Sequence, residues 1–336
     1  MRVFVTGATG AIGTHFVPQL VEQGHEVIGT ARSPEKAERL RSQGAEPIEL
    51  DVLDRDAVRD AVVAARPDAI VHQATALAGM TDLKHFDRSF ALTNRLRVEG
   101  TDALLAAARE AGVGRFVAQS YAGWPYAREG GPVKTEEDPL DPNPVPAMRE
   151  TLAAIRHLER VVVTAGGLAL RYGGFYGSPD DPQLELVRKR RFPIVGDGGG
   201  VWSFVHLDDA AVATVLALER GEPGVYNIVD DEPAQVHEWL PVLAETIGAK
   251  PARRIPRFLA RPLAGESGVV LMTESRGASN AKAKRELGWT LRYPSWRQGF
   301  SAAYRRAQVP SSISAGSSSR SSIGSSSSRV RASKYT

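Results

Sequence analysis

Residues 1–14 of the chain, MRVFVTGATGAIGT, decide its fold class. Residues 3–5 form a short apolar run typical of a buried strand, and apolar residues at positions 12, 16 and 20 then follow at the spacing of a helix face. Three glycines stand between these two elements, and the first N–H groups of a helix that starts there are free to bind phosphate. The pattern predicts a dinucleotide site whose contacts come from Gly7, Thr9, Gly10, Ala11, Ile12 and Gly13.

Each of the three glycines has a separate physical reason to be there. Gly7 permits a tight turn after the strand, and Gly10 allows a pyrophosphate to approach the backbone. Gly13 allows the helix to pack closely against the strand. A strand before the glycines and a helix after them make this motif much more specific than the glycine spacing alone.

The end of the second predicted strand, at residues 25–30, indicates which dinucleotide binds. Such sites place a carboxylate here for the ribose 2′-hydroxyl of NAD, or an Arg for the 2′-phosphate of NADP. The chain reads GTARS at residues 29–33, without a carboxylate, so Arg32 predicts NADP rather than NAD. Asp51 and Val52 follow the third predicted strand, where Asp51 can accept a hydrogen bond from the adenine amino group. Asp51 and Asp54 are equally suited to loop and helix N-cap roles.

The rest of the chain alternates strand-like and helix-like segments. Further strands are predicted at residues 47–50, 69–72, 115–119 and 168–172, and helices at about residues 56–65, 90–111 and 149–164. Parallel strands need long crossover connections, which such helices provide. We therefore predict an α/β fold with a doubly wound parallel sheet. A proline-rich connection at residues 122–146 interrupts the alternation, and its length indicates a functional loop.

Composition excludes several classes of protein. The 336-residue chain contains no Cys, which excludes disulfides and thiolate chemistry and suits a cytoplasmic location. No segment approaches the roughly 20 apolar residues that cross a bilayer, so we expect no membrane partner. The 7 histidines show no spacing typical of metal ligands, and no metal is expected.

The basic charge of the chain lies in its C-terminal tail. The net charge is +3, but residues 311–336 carry four basic residues and no acid, which leaves residues 1–310 with a sum of −1. A nucleic-acid footprint needs basic residues on a folded face, so we expect no nucleic-acid partner. The Ser-rich residues 310–336 contain too few apolar side chains to form a core, and they are predicted to be a disordered tail.

A series of motifs along the chain resembles the extended short-chain dehydrogenases/reductases. The series comprises TGATGAIG, DVLD, VHQATA, NRLRVEGTDALLAAAREAGVGRFVAQS, ALRYGGFYG, PIVGDG, FVHLDDAA and GVYNIVDDEP. More narrowly, it is similar to the NAD-dependent epimerase/dehydratase group over about residues 1–300. The order of the motifs is more specific than any one of them.

The resemblance implies a fold, a division of the chain and further site residues. It implies a seven-stranded Rossmann sheet in a cofactor-binding part at about residues 1–170, and a smaller C-terminal substrate-binding part at about residues 171–300. It further implies a homodimer and a small-molecule substrate. Gln73, Ala74 and Thr75 are expected to line the cofactor, and Asn94 is expected to brace the sheet near the active site.

The catalytic set that the resemblance implies is not intact. These enzymes use a Ser or Thr, a Tyr that exchanges a proton, and a Lys four residues after the Tyr. The helix predicted at residues 149–164 places Thr151 and Ile155 at the Tyr and Lys positions, or Met148 and Leu152 in the alternative register. The only Lys between residues 85 and 188 is Lys134, in the proline-rich connection.

Three interpretations remain open from the sequence. The first is an atypical reductase or epimerase acting on a carbonyl or hydroxyl group, with Tyr121, at the carboxyl end of a central strand, as proton donor. The second is a non-redox lyase, cyclase or isomerase that uses His157 or Arg156. The third is a cofactor-bound sensor without turnover. The candidate catalytic residues are Tyr121, Ser120 and Thr151, and the candidate substrate residues are Trp124, Tyr126, Tyr172, Tyr176 and Arg276.

Overall fold

A computed structural model describes residues 1–77 and 82–305 of the chain, which form a seven-stranded parallel sheet covered by helices. The predicted α/β class is confirmed. In chain order the strands are β1 (Arg2–Thr6), β2 (Glu26–Ala31), β3 (Glu46–Glu49), β4 (Ala69–His72), β5 (Arg115–Tyr121), β6 (Leu168–Tyr172) and β7 (Gly224–Ile228).

The order of the strands creates a crevice at the centre of the sheet. Across the sheet the order is β7-β6-β5-β4-β1-β2-β3, and every neighbouring pair is parallel. The chain runs outward from β1 to β3 on one side and from β4 to β7 on the other. Ligands of open α/β sheets bind where the order reverses, outside the carboxyl ends of the strands, which here is between β1 and β4.

Helices cover both faces of the sheet and form the main apolar core, which has one layer on each face. The helix α1 (Gly13–Glu22) packs against α8 (Leu207–Glu219), and α3 (Arg55–Ala65) packs against α5 (Thr101–Ala111). Buried Val, Ile, Leu and Ala side chains from the strands fill both interfaces because strands covered on two faces are apolar on both. The helices of this layer are α1 (Gly13–Glu22), α2 (Pro34–Ser42), α3 (Arg55–Ala65), α4 (Phe86–Arg95), α5 (Thr101–Ala111), α6 (Arg149–Thr164) and α8 (Leu207–Glu219).

The helix that the sequence predicts at about residues 90–111 is longer and is not regular. It begins at Phe86, and residues Leu96–Gly100 form a π-helical segment between α4 and α5. The Leu96 carbonyl accepts from Thr101 N–H at the end of this segment and lies 3.2 Å from Nε2 of the buried His72. This second contact, made from the end of β4, could not be inferred from a local helix pattern.

A second apolar core lies in the C-terminal third of the chain. Its helices are α7 (Pro182–Arg188), α9 (Val236–Thr246), α10 (Arg257–Thr273) and α12 (Trp296–Tyr304), whereas α11 (Ala281–Leu287) packs against β7. Residues 204–228 and 281–289 return to the core of the main sheet. The chain therefore crosses between the two regions more than once.

The remaining strands are short and pair outside the main sheet. The paired segments are Val133–Lys134 with Gly277–Ala278, Gly174–Tyr176 with Phe204–His206, Ile194–Val195 with Arg254–Ile255, and Val201–Trp202 with Ala234–Gln235. Within residues 1–77 and 82–305, no helix is both long enough and apolar enough to span a membrane. The predicted disordered tail at residues 310–336 lies outside the described residues.

Candidate active site

The turn between β1 and α1 fits tightly against the loop that follows β4. Gly7 has a φ of 76°, and a Cβ placed on it would lie 2.6 Å from the carbonyl carbon of Gln73 and 2.8 Å from the nitrogen of Ala74. A Cβ on Gly13 would overlap the Ala8 carbonyl. Close packing at Gly13 is therefore against the turn itself, whereas the sequence suggested contact with the strand. Because neither glycine has a side chain, the backbone is accessible at the crevice between β1 and β4, the switch point where the strand order reverses.

The start of α1 has the properties of a phosphate site. Its first turn contains no acidic residue, and no side chain caps its N-terminus at Ile12. Gly10 N–H donates to Gly7 O at 2.9 Å, which folds the turn back over the helix start. The positive end of the helix dipole is thus left to an external anion. These residues fit the pyrophosphate of a dinucleotide.

Arg32, which the sequence predicts to bind a 2′-phosphate, lies at the end of β2. It follows β2 directly and is exposed, and Ser33 after it caps α2. Across residues 1–77 and 82–305, Arg32 forms no hydrogen bond or ion pair with another side chain. The guanidinium is therefore available to a ligand.

The residues that follow β3 have local structural roles. Asp51 accepts from Leu53 N–H at 3.0 Å, and Asp54 caps α3 by accepting from Ala57 N–H at 3.1 Å. Val52 is buried against Gly100 of the π-helical segment. One oxygen of Asp51 already closes a turn, so the carboxylate is fixed in place beside any ligand.

Buried polar groups at the end of β4 connect the two halves of the sheet. Gln73 is buried and donates from its amide to the Tyr172 hydroxyl at 3.1 Å, while its Oε1 has no hydrogen-bond partner in the described part of the chain. His72 Nδ1 lies 2.7 Å from the Thr6 hydroxyl, and burial lowers the pKa of His72 to about 4. His72 is therefore neutral and structural. Ala74 and Thr75 are half-buried directly after Gln73.

Ser120 belongs to a buried ion-pair network. Its hydroxyl donates to Glu159 at 2.6 Å, and Arg171 donates to the two oxygens of the same carboxylate at 2.7 Å each. Burial alone would lower the pKa of Arg171, but the pairing with Glu159 raises it above its usual value. Because the Ser120 hydroxyl is already committed to Glu159, the network joins β5, β6 and α6 into one unit.

Thr151 fixes the start of α6. It is fully buried, and both its N–H and its hydroxyl donate to Asp87 of α4, at 2.9 and 2.7 Å. Asn94 donates to the Thr151 hydroxyl at 3.1 Å. Four residues along, Ile155 is 1% exposed and lies in an apolar cluster. Thr151 and Ile155, the residues expected at the family's Tyr and Lys positions, are thus engaged in hydrogen bonds and in apolar packing.

The residues of the alternative register and the Lys of the proline-rich connection are also buried. Met148 and Leu152 are buried in the same apolar cluster as Ile155. Lys134 is buried elsewhere, where its ammonium donates to the Glu129 carbonyl at 2.7 Å and to Asp138 at 3.3 Å.

Tyr121 has the only environment among the candidate catalytic residues in which a hydroxyl remains free. It ends β5 and is half-buried, and its hydroxyl has no hydrogen-bond partner in residues 1–77 and 82–305. Burial raises the pKa of Tyr121 to about 12, and the nearby charge of Arg97 acts in the opposite direction. The phenol therefore stays protonated at neutral pH and can donate a proton but cannot act as a base.

The other candidate tyrosines are buried in the cores. The Tyr126 hydroxyl donates to Asn227, and the Tyr172 hydroxyl lies 2.7 Å from Thr214. Tyr176 packs edge-on against His206 in the second core, with its hydroxyl buried and unpaired in the described residues. Tyr172 lies directly opposite Tyr121 on the neighbouring strand β6, whereas Tyr126 and Tyr176 belong to other apolar clusters.

Three further candidate residues are placed as follows. Trp124 packs edge-on against Phe86 in the apolar cluster that Tyr121 also contacts. Arg276 is half-buried and donates to the carbonyls of Arg128 and Glu274. His157 pairs with Asp102 at 2.8 Å.

Sequence reasoning missed Arg97. It lies in the π-helical segment, is 4% exposed, and its Nε and Nη1 have no hydrogen-bond partner in the described residues. The signal was present in the helix pattern, because Arg97 falls three residues after Asn94 and four before Thr101, both of which are buried. A cation on a buried helix face needs an explanation.

Comparison with known proteins identifies relatives of this arrangement. The model of the NAD dependent epimerase/dehydratase family matches residues 3–229. The "3-diazoavenalumate denitrifying reductase" of a Streptomyces species is 42% identical, over 89% of this chain and 99% of that protein. A 4-hydroxy-2-methyl-3-oxo-4-farnesyl-3,4-dihydroquinoline-1-oxide ketoreductase of Stigmatella aurantiaca is 30% identical, over 90% and 95%.

A solved structure shows the same architecture with a bound dinucleotide. The Thermus thermophilus UDP-glucose 4-epimerase in complex with NAD is 27% identical and superposes with a TM-score of 0.70. The match covers 92% of this chain and all of that chain (100%).

Proposed function

Because the chain belongs to the NAD-dependent epimerase/dehydratase family, we propose that it is an NADP(H)-dependent reductase of a small organic molecule. The observation that carries the proposal is the uncapped, acid-free start of α1 after the glycine turn, which fits the pyrophosphate of a dinucleotide. The free Tyr121 hydroxyl at the carboxyl end of β5 supports a ketone as one substrate class. The proposal includes a homodimer, as the resemblance implies, and a cytoplasmic location, which the absence of Cys suits.

The glycine turn, the start of α1 and Arg32 would hold the cofactor. Bound NADPH supplies a hydride. The chain would bind the pyrophosphate at Gly7, Gly10 and Gly13, and Arg32 would pair with the 2′-phosphate. Gln73 Oε1, buried and unpaired in the described residues, offers one further acceptor at the switch point.

The preference for NADPH should depend on Arg32. We expect NADPH to bind more tightly than NADH, and Arg32→Ala to weaken NADPH by about 10-fold or more, because a charge-assisted bond to the phosphate is lost. NADH affinity should stay nearly unchanged. Calorimetric titration of both cofactors measures this. Arg39→Ala, an exposed Arg on α2, is the matched control, and an unchanged NADPH:NADH ratio in Arg32→Ala would overturn the assignment.

The available proton donor restricts which reductions the site can assist. A ketone that accepts a hydride becomes an alkoxide and must also receive a proton. A diazonium carbon that accepts a hydride loses dinitrogen, and this exchange needs no proton. A site without the Tyr–Lys dyad suits the second reaction directly, and suits the first only if Tyr121 donates.

The relatives support both classes of substrate. One is named a denitrifying reductase of a diazo compound whose name denotes an acid anion, and another is named a ketoreductase. The higher identity belongs to the first, at 42% against 30%. We therefore propose a diazo-substituted organic acid as the first substrate class and a ketone as the second candidate.

The Tyr121→Phe variant separates the two classes. Turnover of a ketone should fall on the order of 10²-fold, because a general acid is lost. At saturating substrate, turnover of an aryl diazonium carboxylate should change little, since no proton is required. Absorbance of NADPH measures both rates, and NADPH affinity is the control for folding. With the native protein, neither rate should fall between about pH 6 and pH 9 through Tyr121, because burial raises its pKa to about 12.

Either of two results would count against this function. Tyr121→Phe should lose the ketone reaction and keep its affinity for NADPH. If the variant kept full ketone activity, a group other than Tyr121 would be the proton donor. Absence of NADPH oxidation with both substrate classes in the native protein would contradict the reductase. The non-redox alternative has less support, because Arg156 and His157 are engaged with the Asp141 carbonyl and with Asp102.

A further inference from the structure

Arg97 is a buried cation without a counter-ion of its own. Arg97 is 4% exposed, and its Nε and Nη1 are unpaired in the described part of the chain. The nearest negative charge that acts on it is Glu159, but both oxygens of that carboxylate are bonded to Arg171, at 2.7 Å each. Glu159 and Arg171 neutralise each other, so the charge of Arg97 is left uncompensated.

An uncompensated buried charge destabilises the folded protein. Burial lowers the pKa of Arg97 to about 10, which still leaves the group charged at neutral pH. A structural Arg is expected to have its buried N–H groups bonded, as Arg115 does through Nε, Nη1 and Nη2. A cation left unpaired in the fold indicates a functional role, in which the partner is a ligand.

The surroundings of Arg97 place that role at the substrate end of the crevice. Arg97 lies in the π-helical segment, a local irregularity often found at functional sites. The carbonyl of its neighbour Leu96 lies 3.2 Å from Nε2 of His72, which ends β4. Although burial raises the pKa of Tyr121, the charge of Arg97 acts to lower it, and the Tyr121 hydroxyl, at the carboxyl end of β5, is free in the described residues. The phosphate-binding turn lies instead after β1. A cation and a free hydroxyl acting on each other form a receptor for an organic anion.

We propose that Arg97 binds the carboxylate of the substrate, with the Tyr121 hydroxyl beside it, and so restricts the enzyme to organic acids. The choice of an organic acid as the ligand rests on the proposed reductase function. A guanidinium presents two parallel N–H groups that match a carboxylate. The adjacent apolar cluster, which includes Trp124 and Phe86, suits the body of an aromatic acid.

The binding test compares an acid with its neutral amide. The probes are cinnamate and cinnamamide, titrated by calorimetry into the full chain saturated with NADP⁺. The native protein should bind cinnamate at least about 10-fold more tightly than cinnamamide. Arg97→Met should abolish that difference, and Arg97→Lys should retain part of it. Arg95→Gln, which removes an exposed cation paired with Glu99, should behave as the native protein.

A stability measurement distinguishes a ligand-binding Arg97 from a structural one. Arg97→Met removes an uncompensated buried charge and keeps an apolar side chain, so the Tm without ligand should rise by a few degrees. A fall in Tm would show that Arg97 supports the fold, and would overturn the proposal. Equal affinity of the native protein for both probes, or no binding of either, would also overturn it.

The test of the anion site at Arg97 can succeed or fail independently of the test of the reductase. Loss of NADP⁺ affinity in Arg97→Met, with cinnamate binding retained, would assign the guanidinium to a cofactor phosphate and contradict the inference. Acid binding that depends on Arg97 without any NADPH oxidation would support the anion site and contradict the reductase. NADPH oxidation that is unchanged in Arg97→Met would support the reductase and contradict the anion site.

Discussion

The Gly7→Ala variant is expected to lose measurable NADPH binding at concentrations that saturate the native protein. The new Cβ would lie 2.6 Å from the Gln73 carbonyl carbon and oxygen and 2.8 Å from the Ala74 nitrogen, on a residue with a φ of 76°. These obstacles are backbone atoms, so a side-chain rotation cannot relieve the overlap. Backbone strain costs on the order of 1–3 kcal/mol and overpacking a further 1–3 kcal/mol. The loops after β1 and β4 must therefore separate.

The matched control is Gly112→Ala, at the C-terminus of α5. Gly112 has a φ of 71°, close to that of Gly7, but nothing lies within 4 Å of a Cβ placed there. It should therefore cost about 1 kcal/mol, the penalty for a left-handed backbone without a clash. Urea unfolding and calorimetric binding measure both variants. Native NADPH affinity in Gly7→Ala, or equal losses of stability in the two variants, would contradict the close approach at the switch point.

The Glu159→Gln variant is expected to lose about 3–5 kcal/mol of unfolding free energy, because it leaves Arg171 buried without a counter-charge. The side chains of Arg171 and Glu159 are 5% and 8% exposed, and Ser120 also loses its charged acceptor. The loss is the cost of an uncompensated cation and not the net value of the pair. Urea unfolding followed by circular dichroism measures it.

An exposed ion pair provides the control for Glu159. Glu99→Gln breaks the bidentate pair with Arg95, in which both side chains are half exposed, and should change stability little because water replaces the partner. If the two variants lost similar stability, or if Glu159→Gln unfolded at the native urea concentration, the network of Ser120, Glu159 and Arg171 would not hold β5, β6 and α6 together.

The fold could be predicted from the sequence because its signals are local. A strand that is apolar on both faces, a glycine turn and a helix with period 3.6 are readable within about 20 residues. The predicted strands at residues 69–72 and 168–172 and the helix at residues 149–164 match the structure. The return of residues 224–228 to the sheet was not identified from the local pattern, because it depends on pairing with β6 across some 50 residues of chain.

The site was only partly predictable because its decisive contacts are long-range. Arg32 and the glycines follow from spacing along one strand and one turn. Thr151 is held by Asp87, which lies 64 positions away in the sequence, and Ser120 is held by Glu159, 39 positions away. Arg97 became a candidate only when its buried nitrogens were found unpaired in the described residues. A sequence pattern can place a cation such as Arg97 on a buried helix face, but it cannot show that the cation lacks a hydrogen-bond partner.

Transfer of deuterium from NADPH labelled at C4 of the nicotinamide tests the reductase most directly. Each C4 epimer is incubated in turn with the native protein and an aryl diazonium carboxylate, and the product is analysed by mass spectrometry. We expect one epimer to deliver one deuterium to the carbon that loses dinitrogen, with one NADP⁺ formed per product. Product that forms without deuterium from either epimer, or without net consumption of NADPH, would contradict a hydride-transferring reductase.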